Sequence, residues 1–407
     1  YTKVGEIGGR VESVADWVEL GITVGKTPVY TGDADEKKVI RAMLDACAEA
    51  GLMCFVNDAR ANAKVIMEQG EDAYRAGFDA ALKDWGDHPA TFGFEMGDEP
   101  AQQRIGPVFR AHGIQREMAP QFTPFLSLGA YSPGAIEWMG LRSYERYLEE
   151  LIEVGDANVL FHNNYGLVPG QNGECNDEGS LLAMKMFSDV SVANDHIATW
   201  ITLCCVSHYT MADITENDLR RQVNVAATLG QKGVAWYLLY MSIFQNYRLA
   251  PRDEHDRKTE MFGWLARVMA TFHRMHGPVL AKLKFQRAYH IGNDRVGGYS
   301  NVIDSELVKS VSVWGDDFPA IVSEFKDDAG VDYVAIVNNS PTLSGHGLIT
   351  WHGAPSIFVQ YLDGEERAHR PYFDDAWPEN PSIQSGPWLA PGQMELYRVE
   401  PDATERL

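Results

Sequence analysis

Over its first 284 residues the chain alternates apolar runs with stretches of helical period, and this alternation limits the folds open to it. ITVGKTPVY (22–30), LMCFVND (52–58), TFGFEMGDE (91–99), FTPFLSLG (122–129), NVLFHNNYG (158–166), IATWITLCCVSH (197–208) and GVAWYLLYM (233–241) read as strands. Residues 35–50 set Val39, Ile40, Met43, Cys47 and Ala50 on one helical face, and 71–86 do the same with Phe78, Leu82 and Trp85. Further helical patterns lie near 101–118, 141–154, 178–190 and 215–229, and a long helix is expected over 257–283. With KVGEIGG (3–9) as a first strand, the sequence predicts eight strands and eight helices. Such alternation implies a parallel sheet covered by helices, and eight units fit a (β/α)8 TIM barrel, typically ~250 residues. A doubly wound open sheet is the competing arrangement. No G-x-G-x-x-G follows the first strand, which removes support from its nucleotide-binding versions.

After residue 284 the pattern changes. FPAIVSEF, VDYVAIVNNS, SIFVQYL and QMELYRVE are short alternating runs, separated by turn pairs such as Asp363-Gly364 and Pro391-Gly392. Residues 285–407 therefore read as a C-terminal antiparallel β-sandwich behind a barrel of residues 1–284.

Composition narrows the partners. Of 407 residues, 45% are hydrophobic and 23% charged, a globular balance, and the formal net charge is −22. That surface repels nucleic acid and anionic lipid. No apolar run reaches the length of a membrane span. The opening YTKVGEIGGR has no signal-peptide pattern. The five cysteines (Cys47, Cys54, Cys175, Cys204, Cys205) show no C-x-x-C spacing, so buried reduced thiols and a cytoplasmic setting are expected. No cofactor is called for, and the oligomeric state is left open.

GFEMGDEP (93–100) puts Glu95, Asp98 and Glu99 at the end of what counts as the fourth strand. In a (β/α)8 enzyme the chemistry sits at the C-terminal strand ends. Pro100 biases Glu99 toward an extended backbone and suits the first turn of a following helix. The Asp98-Glu99-Pro100 string resembles that of the large clan of retaining (β/α)8 glycoside hydrolases. Those enzymes carry their general acid/base Glu at the end of strand four in an Asn-Glu-Pro or Asp-Glu-Pro string. The barrel-plus-sandwich layout is similar too, as is GVAWYLLY followed by a helix ending in HGPVLAKL (276–283). The resemblance implies a carbohydrate substrate and makes Glu99 the acid/base. Glycosidic cleavage needs one carboxylic acid to protonate the leaving oxygen and a second carboxylate as nucleophile or base. The ordinary alternative for Asp98 and Glu99 is an exposed acidic turn. Glu95 reads as structural: four residues back, it should point the same way about 13 Å deeper at ~3.3 Å per residue, with Lys26 as its partner.

The clan's nucleophile is a Glu ending strand seven, and IATWITLCCVSHYT contains no acid. The second carboxylate is then expected from a loop, with Glu174 in VPGQNGECNDEGS (168–180) ahead of Glu137, Asp177 and Glu178. A second route is substrate assistance: some hexosaminidases use an Asp-Glu pair whose Asp orients an acetamido nucleophile, a role open to Asp98. The other substrate-binding candidates are Asp58, Trp138, His162, Asn163, Asn164, Tyr165, His208, Tyr209, Trp236 and Tyr240, all at or just beyond strand ends. Their amides, imidazoles and carboxylate suit sugar hydroxyls, and their rings suit the apolar face of a pyranose. Core packing is the alternative for Trp236, and a buried, bonded histidine for His162 and His208. Trp351, Trp377 and Trp388 are the aromatic residues to inspect in the sandwich. Two other functions compete: a metal-dependent barrel hydrolase or isomerase with Glu99, His162 and His208 as ligands, and a non-catalytic carbohydrate-binding protein.

Overall fold

A computed structural model describes residues 4, 6, 8–241, 246–292, 296–315, 318–370, 372–373 and 383–400. The N-terminal part is a seven-stranded curled sheet flanked by helices. Its strands, β1 (Val24–Lys26), β2 (Met53–Val56), β3 (Thr91–Asp98), β4 (Thr123–Leu128), β5 (Val159–Asn163), β6 (Ala198–Cys204) and β7 (Gly233–Tyr237), lie side by side in chain order. The pairs from β1 through β6 run parallel. This is the α/β arrangement of a (β/α)8 barrel, and antiparallel sheets follow it, as expected. The strand expected at 3–9 is not seen: Val4, Glu6, Gly8 and Gly9 form turns and bends, and Lys3, Gly5 and Ile7 lie outside the described residues. Among the described residues GFEMGDEP therefore ends the third strand of the sheet rather than the fourth.

The helices are α1 (Ser13–Glu19), α2 (Ala34–Glu49), α3 (Lys64–Gln69), α4 (Glu71–Trp85), α5 (Ile105–Met118), α6 (Pro133–Met139), α7 (Tyr144–Gly155), α8 (Asp177–Ala193), α9 (Glu216–Thr228), α10 (Glu260–Met275) and α11 (Gly277–Leu280). Their starts follow local chemistry. Asp33 accepts from the N–H groups of Asp35 and Glu36 at the head of α2, Ser143 caps α7, and Thr215 with Asp218 forms a reciprocal capping box on α9. The long helix expected over 257–283 is two helices, interrupted at His276, where Gly277 and Pro278 open a new turn. Among the described residues no helix is long and apolar enough to cross a membrane.

The C-terminal strands are β8 (Lys284–Ile291), β9 (Val308–Gly315), β10 (Ala320–Lys326), β11 (Asp332–Asn338), β12 (Gly345–Trp351), β13 (Ser356–Gln360), β14 (Glu366–His369), β15 (Tyr372–Phe373), β16 (Ile383–Ser385), β17 (Trp388–Leu389) and β18 (Met394–Glu400). One sheet runs β14-β13-β18-β11-β10-β8; the other runs β15-β16-β12-β17, with β9 also on β12. Between them lies a core of Val308, Phe318, Val322, Ile336, Ile349, Trp351, Ile357, Tyr397 and Val399.

By their internal contacts the residues form two compact units. The first is Tyr1–Asn164, His196–Thr202 and Leu238–Ala266; the second is Tyr165–Asp195, Leu203–Tyr237 and Arg267–Leu407. Within the second unit, the fully buried Arg221 of α9 ties the sandwich to the loop after β5. Its guanidinium donates to the Asn339 carbonyl at 3.0 Å, the Leu167 carbonyl at 3.1 Å and the Asp177 carboxylate at 2.6 Å. Five donors in a rigid fork make arginine the side chain that can hold three such acceptors at once.

Candidate active site

In the first unit the inner face of the sheet is filled from the bottom by aromatic rings. Phe55 (β2), Phe92 (β3), Phe125 (β4), Phe161 (β5) and Trp200 (β6) contact one another with centroids 4.8–6.0 Å apart. Side chains two residues on along a strand share its face, so Ser127 and Asn163 stand one step above Phe125 and Phe161. Beside this layer the expected ion pair is present: Lys26 Nζ lies 2.8 Å from Glu95 Oε2 and 5.7 Å from the Phe125 ring. Glu95 is buried, and Lys26 compensates its charge.

Above this floor is Glu99. Its carboxylate Oε1 accepts from Asn163 Nδ2 at 2.7 Å, and Asn163 Oδ1 accepts from Ser127 Oγ at 2.8 Å. Its backbone N–H donates to the Ser127 carbonyl at 2.8 Å, and Arg104 Nη2 donates to its own carbonyl at 3.2 Å. The backbone is not extended, as the following proline led us to expect. Glu99 has φ +43°, in the left-handed region. β3 is bulged on both sides, its register shifting against β2 near Phe55 and against β4 between Glu95 and Gly97. The chain must then turn from the strand into the short 3-10 turn at Gln102–Arg104. The bonds to Ser127 and Arg104 hold Glu99 in a conformation that costs a non-glycine residue about 1–2 kcal/mol. The bulge between Glu95 and Gly97 brings Asp98, the register partner of Ser127, onto the same face as Glu95, the register partner of Phe125, where simple alternation would set it opposite.

Asp98, which pairs in register with Ser127, is reached by solvent. Its carboxyl is nonetheless raised above the usual aspartate value. Protein atoms crowding the strand end strip part of its hydration, and the charges of Glu99 and Glu95 add to this; Lys26 and Ser127 act the other way. Tyr144, which the sequence did not single out, donates to the Gly129 carbonyl at 2.5 Å, and burial together with the Glu99 charge raises its hydroxyl. A Cβ at Gly129 would stand 3.8 Å from Glu99 Cγ and 3.7 Å from Met139 Sδ, so the end of α6 borders the Glu99 side chain. Trp138, one residue before Met139, is 50% exposed and accepts from Gln102 Nε2 at 3.0 Å through its carbonyl.

Several expected binding residues do not have open side chains. Asp58 has no solvent exposure; its oxygens accept from Arg60 Nε at 3.0 Å, Arg60 Nη2 at 2.7 Å, Trp85 Nε1 at 2.8 Å and the Arg60 N–H at 2.9 Å. It caps a 3-10 turn and leaves no lone pair for a sugar. His162 is fully buried, because its strand neighbours Phe161 and Asn163 take the inner face and turn it to the outer one. Tyr240 packs against Gly8, and its hydroxyl accepts from Trp17 Nε1 at 3.1 Å. Asn164 is buried, its N–H donating to the Thr202 carbonyl at 3.0 Å.

In the second unit a ring cluster gathers Tyr165, His208 and Tyr209 with Tyr237, which the sequence reading passed over in favour of Trp236. Tyr165 stacks on Tyr237 at 5.5 Å and His208 on Tyr209 at 4.6 Å, while His208 lies 5.6 Å from Tyr237. Trp236 is half-buried on the other face of β7. Glu174 is exposed, and Asn172 Nδ2 donates to its Oε2 at 2.7 Å within the same loop. Asp177 is committed to Arg221, and Glu178 Oε2 accepts from the Gly297 N–H at 2.8 Å. Glu137 is exposed on α6. Among the described residues no group of three or more His, Cys, Asp or Glu side chains is placed to hold a metal ion, so Glu99, His162 and His208 do not form the ligand set that the metal reading requires.

Neither a family model nor a curated protein sequence matches the chain. Solved structures do. A structure described as a glycoside hydrolase superposes with a TM-score of 0.57 at 10% identity, covering 97% of this chain and 88% of that one. A glycoside hydrolase family 5 structure from Bacteroides vulgatus superposes with a TM-score of 0.56 at 12% identity, covering 98% and 88%. The chain also matches a β-galactosidase from the psychrophilic Marinomonas ef1, at TM-score 0.49 and 10% identity over 67% of this chain, and spans 59% of that protein's length. At these identities the likeness is one of fold: the chain shares its barrel-and-sandwich architecture with glycoside hydrolases.

Proposed function

We propose that this chain is a glycoside hydrolase acting on an oligo- or polysaccharide, with Glu99 as general acid/base, residues 1–284 as its catalytic part and 285–407 as an accessory sandwich. The observation that carries the reading is Glu99 itself: a partly exposed carboxylate at the C-terminal edge of a parallel strand, on a left-handed backbone, with one oxygen held by Asn163. A backbone cost retained at one carboxylate, among side chains that fix its orientation, supports a catalytic role. In its protonated form Glu99 delivers a proton to the glycosidic oxygen as the bond to the anomeric carbon breaks, and as carboxylate it then takes a proton from the attacking water. Asp98 is the second carboxylate we favour, because it lies at the same strand end; it orients or attacks at the anomeric centre. Glu174 is the alternative. Trp138 supplies a ring face for sugar.

The test screens wild type, Glu99→Gln, Asp98→Asn and Glu174→Gln against aryl glycosides and oligosaccharides, following the first product anomer by NMR. We expect hydrolysis in wild type, its collapse in Glu99→Gln with the fold intact, and a deep loss in Asp98→Asn. Equal activity of wild type and Glu99→Gln would remove Glu99 from the mechanism. A deep loss in Glu174→Gln but not in Asp98→Asn would reassign the second carboxylate.

A further inference from the structure

The outer face of the five-stranded sandwich sheet carries an aromatic row. Trp314 (β9) and Trp388 (β17) are both register partners of His346 (β12), so the three side chains cross neighbouring strands in one line. Trp314 is 59% and Trp388 72% exposed. Val311 and Val313 of β9 face the core, while Ser310 and Ser312 are exposed with Trp314 on the outside. The His346 ring stacks on Trp388 at 5.3 Å and 29°, and meets Trp314 edge-on at 5.9 Å and 72°. His346 Nε2 lies 2.9 Å from the Gly386 carbonyl oxygen. A Cβ at residue 386 would come within 2.3 Å of that nitrogen, so only glycine there lets the ring lie between the indoles.

Two indoles this exposed are poor candidates for passive surface, because large rings on a folded monomer are normally covered. We propose that the Trp314–His346–Trp388 row is a carbohydrate-binding site on the sandwich, taking a soluble, uncharged polysaccharide chain; this rests on the glycoside hydrolase reading given above. Pyranose rings present apolar C–H faces that stack on aromatic faces, and their hydroxyls are met by the serines flanking the row. The indoles sit two strand spacings apart, roughly 10 Å at ~4.8 Å per strand, a separation that places them under alternate sugars of an extended chain. They are also turned against each other. A flat crystalline polymer face needs coplanar rings, whereas a free chain whose sugars rotate along its length suits a turned pair. The net charge of −22 disfavours anionic polymers.

The test is affinity electrophoresis of the whole protein in gels containing hydroxyethyl cellulose, arabinoxylan, laminarin or galactan. It uses wild type, Trp314→Ala, Trp388→Ala, the double variant and Glu99→Gln. The expected result is retardation of wild type by at least one polymer, weakened roughly tenfold in each single variant and lost in the double. Hydrolysis of a small soluble aryl glycoside is expected to be unchanged in the tryptophan variants, and retardation unchanged in Glu99→Gln. Binding without hydrolysis would therefore count against the catalytic reading alone. Wild type unretarded by every polymer, or a double variant retarded like wild type, would overturn the proposal. So would self-association of wild type that the double variant abolishes without any polymer binding, since the row would then be an interface between copies.

Discussion

Asn163 Nδ2 donates to Glu99 Oε1 at 2.7 Å while its own Oδ1 accepts from Ser127 Oγ at 2.8 Å. The amide is thereby fixed in one orientation by two neighbouring strands, and the carboxylate with it. Asn163 is expected to act as a positioning residue. Asn163→Ala should lower kcat roughly a hundredfold with KM within about threefold. Asn163→Asp, which keeps the shape but replaces the N–H donor with an anion, should lose kcat at least as deeply. A raised KM with kcat unchanged would mean that the amide does not serve to orient Glu99.

Asp98 has its own pH signature. Its carboxyl is raised, so it becomes an anion only above the ordinary aspartate range. If the ionised form orients substrate, activity falls as pH drops through that raised value. We expect an acid limb in kcat/KM for wild type that is absent in Asp98→Asn, where the remaining activity varies less on the acid side. An identical acid limb in the variant would assign that titration elsewhere.

The left-handed backbone at Glu99 predicts a trade between activity and stability. Glycine adopts φ +43° without the Cβ clash that alanine keeps. Glu99→Gly and Glu99→Ala should both be inactive, with the glycine variant the more stable by about 1 kcal/mol in chemical denaturation. Equal stabilities, or alanine ahead, would show that the residue is unstrained.

Asp58 separates structural from catalytic carboxylates. Asp58→Ala removes a buried anion bonded to Arg60 and Trp85 and leaves their donors unmatched. Arg60 keeps Asp84 at 2.8 Å, which softens the loss. We expect a destabilisation of about 3 kcal/mol, with kcat of the folded protein nearly unchanged. A large fall in kcat at full folding would return Asp58 to the binding site.

Acid stability is set in part by two buried histidines. Burial lowers His112 and His276 to about 4, from 6.5 for a free imidazole. Between those values the unfolded chain binds more protons, so stability rises with pH across this window. The contribution of the neutral forms is complete above pH 6.5 and is lost as pH falls toward 4, on the order of 3 kcal/mol for each. Denaturation at several pH values should show this slope, offset in part by Glu395, whose carboxyl burial pushes up to about 7, and His112→Gln should remove one histidine's share of it. An unchanged slope would mean that His112 takes up protons as easily in the fold as in the unfolded chain.

The alternation of strand and helix, the break after residue 284 and the carboxylates of GFEMGDEP are local properties, and local properties survive in sequence. Period, turn residues and helix caps each act over a few positions, so the β1–β7 runs, the helices of the sheet layer and the sandwich are legible in the sequence. The Lys26–Glu95 pair was legible too, since a buried anion demands a cation and few were placed to serve. What the chain does at its strand ends depended on neighbours distant in sequence. The two bulges in β3 arise from its pairing with β2 and β4 and put Glu99 in a backbone conformation that no dipeptide preference announces. Pairing of β3 with β4 and of β4 with β5 brings Asn163 to the Glu99 carboxylate, 64 residues away, and Ser127 to Asn163, 36 residues away. Alternation on β5 turned Asn163 inward and His162 outward, although the two look alike as polar strand-end residues. Trp85 and Arg60 closed over Asp58, and Trp17 over Tyr240. Trp351 entered the sandwich core at 2% exposure while Trp388 stayed outside, and Trp377 lies outside the described residues. Trp314, which nothing in its sequence neighbourhood distinguishes, joined Trp388 only because β9 and β17 flank the same strand.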